Sequence, residues 1–482
     1  MLNHDKRRTA SSSGMTKKTP EPGLKFGKRL GLALAAGLFA SVATAHAAKA
    51  ETEISIAAIN NDALITLQRL SGEFERQNPD IKLRWMILDE NTLRQRITMD
   101  IATRGGQFDL ITIGNYEVQV WAKQNWLAPL NPIPASYRLD DLLPAVRQSV
   151  ERDGQVWGLP IFAESAMTFY RKDLFEKAGI TPSPHPTFDQ IREYAEKIHE
   201  PANGVYGICM RGQANWGGNM ALVTTLVDGY GGQWFDDHWR PMLDTPEWRR
   251  GVSWYVDMAR KYGPPGTASS GFSENLALTV SGHCGMWIDS TFASSIIFNP
   301  RESGVADKMG YMASPVADWQ NGAKWLWSWV FSIPETSRKK EAALRFATWA
   351  TSKEYIRMAG EQAGWVRIPQ GTRVSTYQLP EYQQAAPFAS MVEQAISAAN
   401  PIDGTRLPKR YVGAQFVGIP EFQAIGTSVG QQMAAAIAGN VSVNEALRRS
   451  QNTTSRIMMQ SGYYDRDVQQ PANAAPAAQP AN

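Results

Sequence analysis

Residues 54–117 read ISIAAINNDALITLQRLSGEFERQNPDIKLRWMILDENTLRQRITMDIATRGGQFDLITIGNYE, and the alternation of periods within them decides the fold class. Ile54, Ile56 and Ala58 recur at a period of two, as in a strand. Asn60-Asn61-Asp62 makes a turn, with Asp62 as the expected helix N-cap. Leu64, Leu67, Leu70 and Phe74 then fall at helical spacing, and Asn78-Pro79-Asp80 ends that helix. Ile81, Leu83, Trp85 and Ile87 alternate as a second strand. Leu93, Ile97 and Ile101 mark a second helix closed by Gly105-Gly106, and Phe108, Leu110, Ile111 and Ile113 form a third strand. Strand–helix–strand–helix–strand is the unit of an open, parallel α/β sheet. Ligands of such sheets sit beyond the carboxyl ends of the strands. Here those ends carry Asn60, Asn61, Asn115, Tyr116 and Glu117.

Upstream, Lys25, Lys28 and Arg29 precede an apolar run from Leu30 to Val42 and the small residues Ala45-His46-Ala47. This is the layout of a secretory signal with its core at 25–47, cleaved after Ala47 or Ala50. The run of about 13 residues is shorter than the roughly 20 that span a bilayer. Residues 1–50 are therefore read as a leader. The whole chain carries a formal charge of +3 and residues 1–50 carry +7, which leaves −4 for the remainder. A mildly acidic exported chain argues against a nucleic-acid partner. At 43% hydrophobic and 20% charged residues, its composition is that of a globular protein, and its length predicts two or three domains. Cys209 and Cys284 are the only cysteines. They either form one disulfide between distant segments or sit as two buried thiols. Residues 471–482 are a Pro/Ala/Asn/Gln stretch with nothing to bury, and the tail 466–482 is expected to be disordered.

Five motifs carry a family resemblance. They are Ser71-Gly72-Glu73-Phe74-Glu75 with Asn78-Pro79-Asp80, Gly106-Gln107-Phe108-Asp109-Leu110, Gly158-Leu159-Pro160, Phe169-Tyr170-Arg171-Lys172-Asp173-Leu174-Phe175, and Gly285-Met286-Trp287-Ile288-Asp289. In this order the chain resembles the solute-binding components of ABC importers, in the extracellular sugar-binding family that includes the maltose-binding protein. Tyr206-Gly207-Ile208-Cys209-Met210-Arg211-Gly212 with Trp216, and Gly282-His283-Cys284 running into the last motif, look most like the sorbitol and mannitol (polyol) binders. The resemblance implies a two-lobe periplasmic-binding-protein fold with a hinged cleft, each lobe a mostly parallel sheet flanked by helices. It implies a first lobe of 51–159 plus 282–334 and a second of 160–281 plus 335–465. It further implies a periplasmic monomer that closes on a sugar alcohol or sugar and docks on ABC permease transmembrane subunits, without catalysis, cofactor or metal.

A linear polyol is neutral, each hydroxyl both donates and accepts, and its C–H faces are apolar. Its pocket needs carboxylates and amides, arginine donors and aromatic walls. Micromolar affinity requires about 8 kcal/mol, while neutral hydrogen bonds net roughly 0.5–1.5 kcal/mol and those to charged groups roughly 1.5–3. At least two charged side chains are therefore expected. Asn60, Asn61 and Asn115 are the candidate amides, and Glu117, Glu164 and Asp289 the candidate acceptors. Arg211 is a candidate donor and Trp216 a stacking platform. Trp325, Trp327 and Trp329 alternate onto one face, and Trp329 is assigned to the ligand, with the other two in the core. Trp365 and Arg367, in Gly364-Trp365-Val366-Arg367-Ile368-Pro369, match the family's late loop that returns to the cleft.

Two other readings compete. One is a binder of another solute, such as an oligosaccharide, an amino acid or a sulfonated sugar; a zwitterionic or anionic ligand would call for clustered cations, which Arg211 and Arg367 could supply. A secreted carbohydrate-active enzyme would need two carboxylates at a set separation. Gly426-Thr427-Ser428-Val429-Gly430 matches the G-x-S-x-G pattern, but a nucleophile elbow requires a strand before the serine, and none is read there.

Overall fold

The computed structural model describes residues 51–318, 324–400, 409 and 411–466. The expected leader (1–50) and the tail from 467 lie outside the described residues. Among the described residues, no helix is long and apolar enough to cross a membrane.

Ten strands run in chain order: β1 Thr52–Ile59, β2 Ile81–Leu88, β3 Leu110–Gly114, β4 Glu151–Arg152, β5 Gln155–Val156, β6 Leu159–Glu164, β7 Ala166–Arg171, β8 Met286–Ser290, β9 Met309–Ala313 and β10 Trp327–Ser332. The first sheet has the order β2-β1-β3-β10-β6. β1 is parallel to β2 and to β3, with Ile54 opposite Leu83 and Ile59 opposite Leu88. From Ile56 to Ile59 it is buried on both faces, as a strand between two helical layers must be. β10 returns antiparallel to both β3 and β6. The second sheet, β8-β7-β9, is antiparallel throughout. The β–α–β–α–β start thus forms as read, whereas parallel pairing stops at β3. β10 alone enters from the opposite lobe and runs the other way, between β3 and β6, which share one direction.

The chain leaves the first sheet at Glu164 and enters the second at Ala166, with Ser165 alone between them. Ser165 is fully buried and pinned: Thr291 N donates to its carbonyl at 2.8 Å, and its own N donates to Thr291 Oγ1 at 3.1 Å. The lobe boundaries therefore differ from those implied by resemblance. β6 extends the first lobe to 164. β8 and β9, expected in the first lobe, pair with β7 in the second. The helices Lys340–Ala350 and Lys353–Ala363, expected in the second lobe, belong with the first. The reason is aromatic packing: Phe346 lies 5.1 Å from Phe74, 5.7 Å from Trp85 and 5.9 Å from Phe331. The helices Asn219–Gly229, Pro246–Tyr262, Phe422–Ile437 and Val443–Gln460 pack on one another in the second lobe.

Asn61, not Asp62, caps the first helix. Its backbone is extended and its side-chain oxygen accepts from Leu64 N at 2.9 Å, which leaves Asp62 as the first helical residue. Gly426–Gly430 lies inside the helix Phe422–Ile437, so Ser428 stands on no strand-to-helix turn.

Candidate functional site

The carboxyl ends of β1, β2 and β6 and the amino end of antiparallel β10 meet at one edge of the first sheet. Trp327 opens β10 directly opposite Glu164, the last residue of β6. The second lobe brings Arg211, Trp216, Phe272 and Phe292 over that edge, and together the two lobes enclose a cavity of about 370 Å³. That lies within the size range of small-molecule sites.

Its aromatic wall is built on two glycines. A Cβ on Gly114 would stand 2.2 Å from the Trp327 ring, so only glycine lets that ring lie across β3. A Cβ on Gly426 would stand 2.7 Å from Trp216 Cβ, and Trp216 is seated there across the helix Phe422–Ile437. Trp327 then meets Trp216 and Trp329 at 5.7 Å each, Tyr116 backs Trp216 at 5.0 Å, and Phe162 stacks on Phe292 at 4.7 Å. Trp325 completes the wall.

Two arginines line the cavity. Arg211 belongs to the second lobe. Its Nε donates to Asp289 Oδ2 at 2.9 Å, its Nη2 to Asp289 Oδ1 at 2.5 Å, and its Nη1 to the Gly217 carbonyl at 3.1 Å. Asp289 is 1% exposed and also accepts from Ser290 N at 2.6 Å. The neighbouring carboxylate holds the guanidinium above its ordinary range against the opposing effect of burial. Cys209 and Cys284 are bonded to each other, and Cys209 bridges in parallel to Trp287. Covalent and backbone bonds therefore brace the segments carrying Arg211 and Asp289 just beside the pair.

Arg94 belongs to the first lobe, on the helix Glu90–Ala102. It pairs with Glu90 at 3.0 Å and with the buried Glu117. Its guanidinium lies 4.8 Å from the Trp216 ring centroid, 5.2 Å from Trp329 and 5.6 Å from Trp327, a cation held on three aromatic faces.

Glu164 is half-buried at the cavity wall, and Ser290 Oγ–H donates to it at 2.5 Å. Burial pushes its carboxyl up to about 7. Asp289 and Glu90 add to the rise, while the Ser290 bond and Arg211 oppose it.

A cleft between two sheets, walled by aromatics and furnished with arginines and carboxylates, is a site for binding. The chain matches the model of the bacterial extracellular solute-binding proteins over residues 60–356. It is 47% identical over 414 residues to a mannitol-binding protein of Pseudomonas aeruginosa, covering 86% of this chain and 94% of that one. The chain belongs to the bacterial extracellular solute-binding family. A solved ABC-transporter solute-binding protein from Agrobacterium vitis, with bound D-mannitol, is 48% identical, covers 85% of this chain and 99% of its own, and superposes with a TM-score of 0.83. A maltose-bound protein from T. maritima shares the two-lobe fold at 21% identity and a TM-score of 0.72, with 84% and 100% of the two chains covered.

In this solute-binding protein the cavity brings together Asn60, Asn61, Glu164, Arg211, Trp216 and Trp329. Trp325 and Trp327, expected in the core, also line it. Five expected contacts stand elsewhere. Asp289 is behind Arg211, so it positions the guanidinium rather than facing the cavity. Asn115 is 2% exposed and spent on backbone: its Nδ2 donates to Leu326 O at 3.3 Å and its Oδ1 accepts from Ser328 N at 3.3 Å. Glu117 accepts from Gly114 N at 3.1 Å beneath Arg94. Trp365 packs over Gly360, outside the cavity. Arg367 pairs with Asp62 of the first lobe and, at 2.8 Å, with Glu302 of the second.

Sequence reasoning missed Asp89, Glu90 and Arg94, together with Phe272, Ser273 and Gln415. The signal for the first three was present. Asp89 follows the carboxyl end of β2, the same kind of position as Asn60 after β1. Phe272 and Ser273 open the helix Phe272–Val280 and Gln415 stands in a loop, and the local pattern does not fix where either meets the cavity.

Proposed function

We propose that the protein is the periplasmic solute-binding component of an ABC importer, and that it captures mannitol or a closely related sugar alcohol by closing its lobes. The observation that carries this reading is the cavity itself. Charged hydrogen-bonding groups of both lobes face inward between tryptophan walls, in a chain nearly half identical to a protein named for mannitol binding. Arg211 has N–H donors left after serving Asp289, and Glu164, Asn60 and Gln415 add polar contacts. A few such bonds plus aromatic packing reach the roughly 8 kcal/mol of a micromolar site. Both cations once available to a sulfonated or carboxylated sugar are already matched: Arg211 to Asp289, Arg367 to Asp62 and Glu302. That favours an uncharged solute. The same reading makes the chain a non-catalytic carrier that hands its solute unchanged to membrane permease subunits.

Isothermal calorimetry of the chain from residue 51, against mannitol, sorbitol, ribitol and maltose, tests this. The expected result is one-site heat with a hexitol, in the micromolar range or tighter, and the solute recovered chemically intact. Heat with none of the polyols overturns the solute assignment; conversion of the solute to a product overturns the carrier reading.

A further inference from the structure

We propose that Glu164 holds the solute as the neutral acid, donating its carboxyl proton to a polyol oxygen, so that capture takes up a proton from solvent near and above neutrality. This rests on the polyol reading and adds to it a role for one side chain. Glu164 ends β6 at the crossing between lobes, opposite Trp327 and beside Ser290 of β8. Ser290 Oγ accepts from Phe292 N at 3.0 Å, so its own hydrogen points to Glu164. Among the described residues Glu164 makes no ion pair.

The charged groups facing it come from three elements, and each cation is already claimed. Arg211 is held by Asp289 of β8, and Arg94 of the helix Glu90–Ala102 by Glu90 and Glu117. With Glu164 ionised, the cluster of Asp89, Glu90, Glu117, Glu164 and Asp289 would set five carboxylates against Arg94 and Arg211; with it neutral, four against two. Its surroundings already lift its titration to about 7. Closing the lobes on an uncharged solute removes remaining water without adding a cation, which disfavours the ionised form further. A neutral carboxyl also suits a hydroxyl partner: it gives one O–H and keeps acceptor capacity, whereas a carboxylate only accepts.

The sign follows. If the neutral form binds, affinity falls with rising pH, by up to about tenfold per pH unit, above the titration point of Glu164 in the free chain. Proton uptake rises toward one per solute over the same range. Calorimetry of the chain from residue 51 with mannitol, in phosphate, HEPES and Tris buffers of different ionisation heat, counts those protons directly. The same titrations at pH 6, 7, 8 and 9 give the affinity profile. Glu164→Gln, which keeps the shape and a hydrogen-bond donor but cannot ionise, should lose both the proton uptake and the decline with pH. Mannitol heat with no proton uptake, proton release, or affinity that rises with pH overturns this inference alone. A folded Glu164→Gln chain that binds mannitol and keeps the proton uptake or the decline with pH also overturns it. Should that variant not fold, the wild-type proton count decides. Absence of any polyol heat removes the underlying reading, and this inference with it.

Discussion

Arg211 and Arg94 face the same cavity from opposite lobes and are held by different physics. Arg211 is gripped by a carboxylate that is 1% exposed, through three N–H···O contacts of 2.5–3.1 Å, on segments joined by the Cys209–Cys284 bond. Every one of these partners lies in the second lobe, so the second-lobe half of the pocket is built in advance. Arg94 draws part of its environment from across the cleft: Trp327, Trp329 and Glu117 belong to its own lobe, but Trp216 belongs to the other. That contact exists only while the lobes are together. The difference separates two tasks. One arginine is preorganised for the solute, and the other couples the wall of the pocket to closure.

Breaking the preorganised side should do the most harm. Asp289→Ala leaves a buried guanidinium without its partner; it should cost about 3–5 kcal/mol of folding stability and abolish measurable mannitol binding, checked by urea unfolding and calorimetry. Asp289→Asn, which keeps shape but not charge, should weaken binding ten- to one-hundredfold. If both variants bind as wild type does, Arg211 is not the anchor. On the closure side, Trp216→Leu removes a wall of the cavity and the cross-cleft seat of Arg94, and about a tenfold loss of affinity is expected. Arg94→Met should cost about three- to tenfold and give a larger radius of gyration by small-angle scattering at subsaturating mannitol. Unchanged compactness would remove Arg94 from any part in closure. The smallest effect belongs to Arg367→Gln. The Asp62–Arg367–Glu302 tie is about one-third exposed, so the loss should be threefold or less and vanish in 0.5 M salt, read by titrations at two ionic strengths.

The sequence disclosed the parts of this comparison that depend on local pattern. Strand and helix periods repeat between Ile54 and Ile113 because the helices pack one face on the sheet and the chain returns to the same sheet each time. Trp325, Trp327 and Trp329 were legible as one face, yet which face met the cavity was not, and all three do. β8 is buried at every position, so alternation said nothing about which way Asp289 points. Its pairing with Arg211 spans 78 residues and is made by the parallel bridge of Cys209 to Trp287 and the Cys209–Cys284 bond, a tertiary fact. The family resemblance implies a lobe crossing at 159/160, five residues before the one observed. Leu159 and Pro160 instead continue as β6 against β10, and the turn falls at Ser165. Asn115 and Glu117 were named for standing at a strand end. β3 is central, its end is covered by Trp327, and their polar atoms are taken up by backbone and by Arg94.

The most direct measurement is a crystal structure of the chain from residue 51 grown with mannitol. The account predicts one mannitol between the lobes, hydrogen-bonded to Arg211 and Glu164, with its C–H face against Trp216 or Trp329 and Asp289 touching only Arg211 and its own strand. Mannitol seated outside that cavity, or inside it without contact to Arg211, would contradict the account.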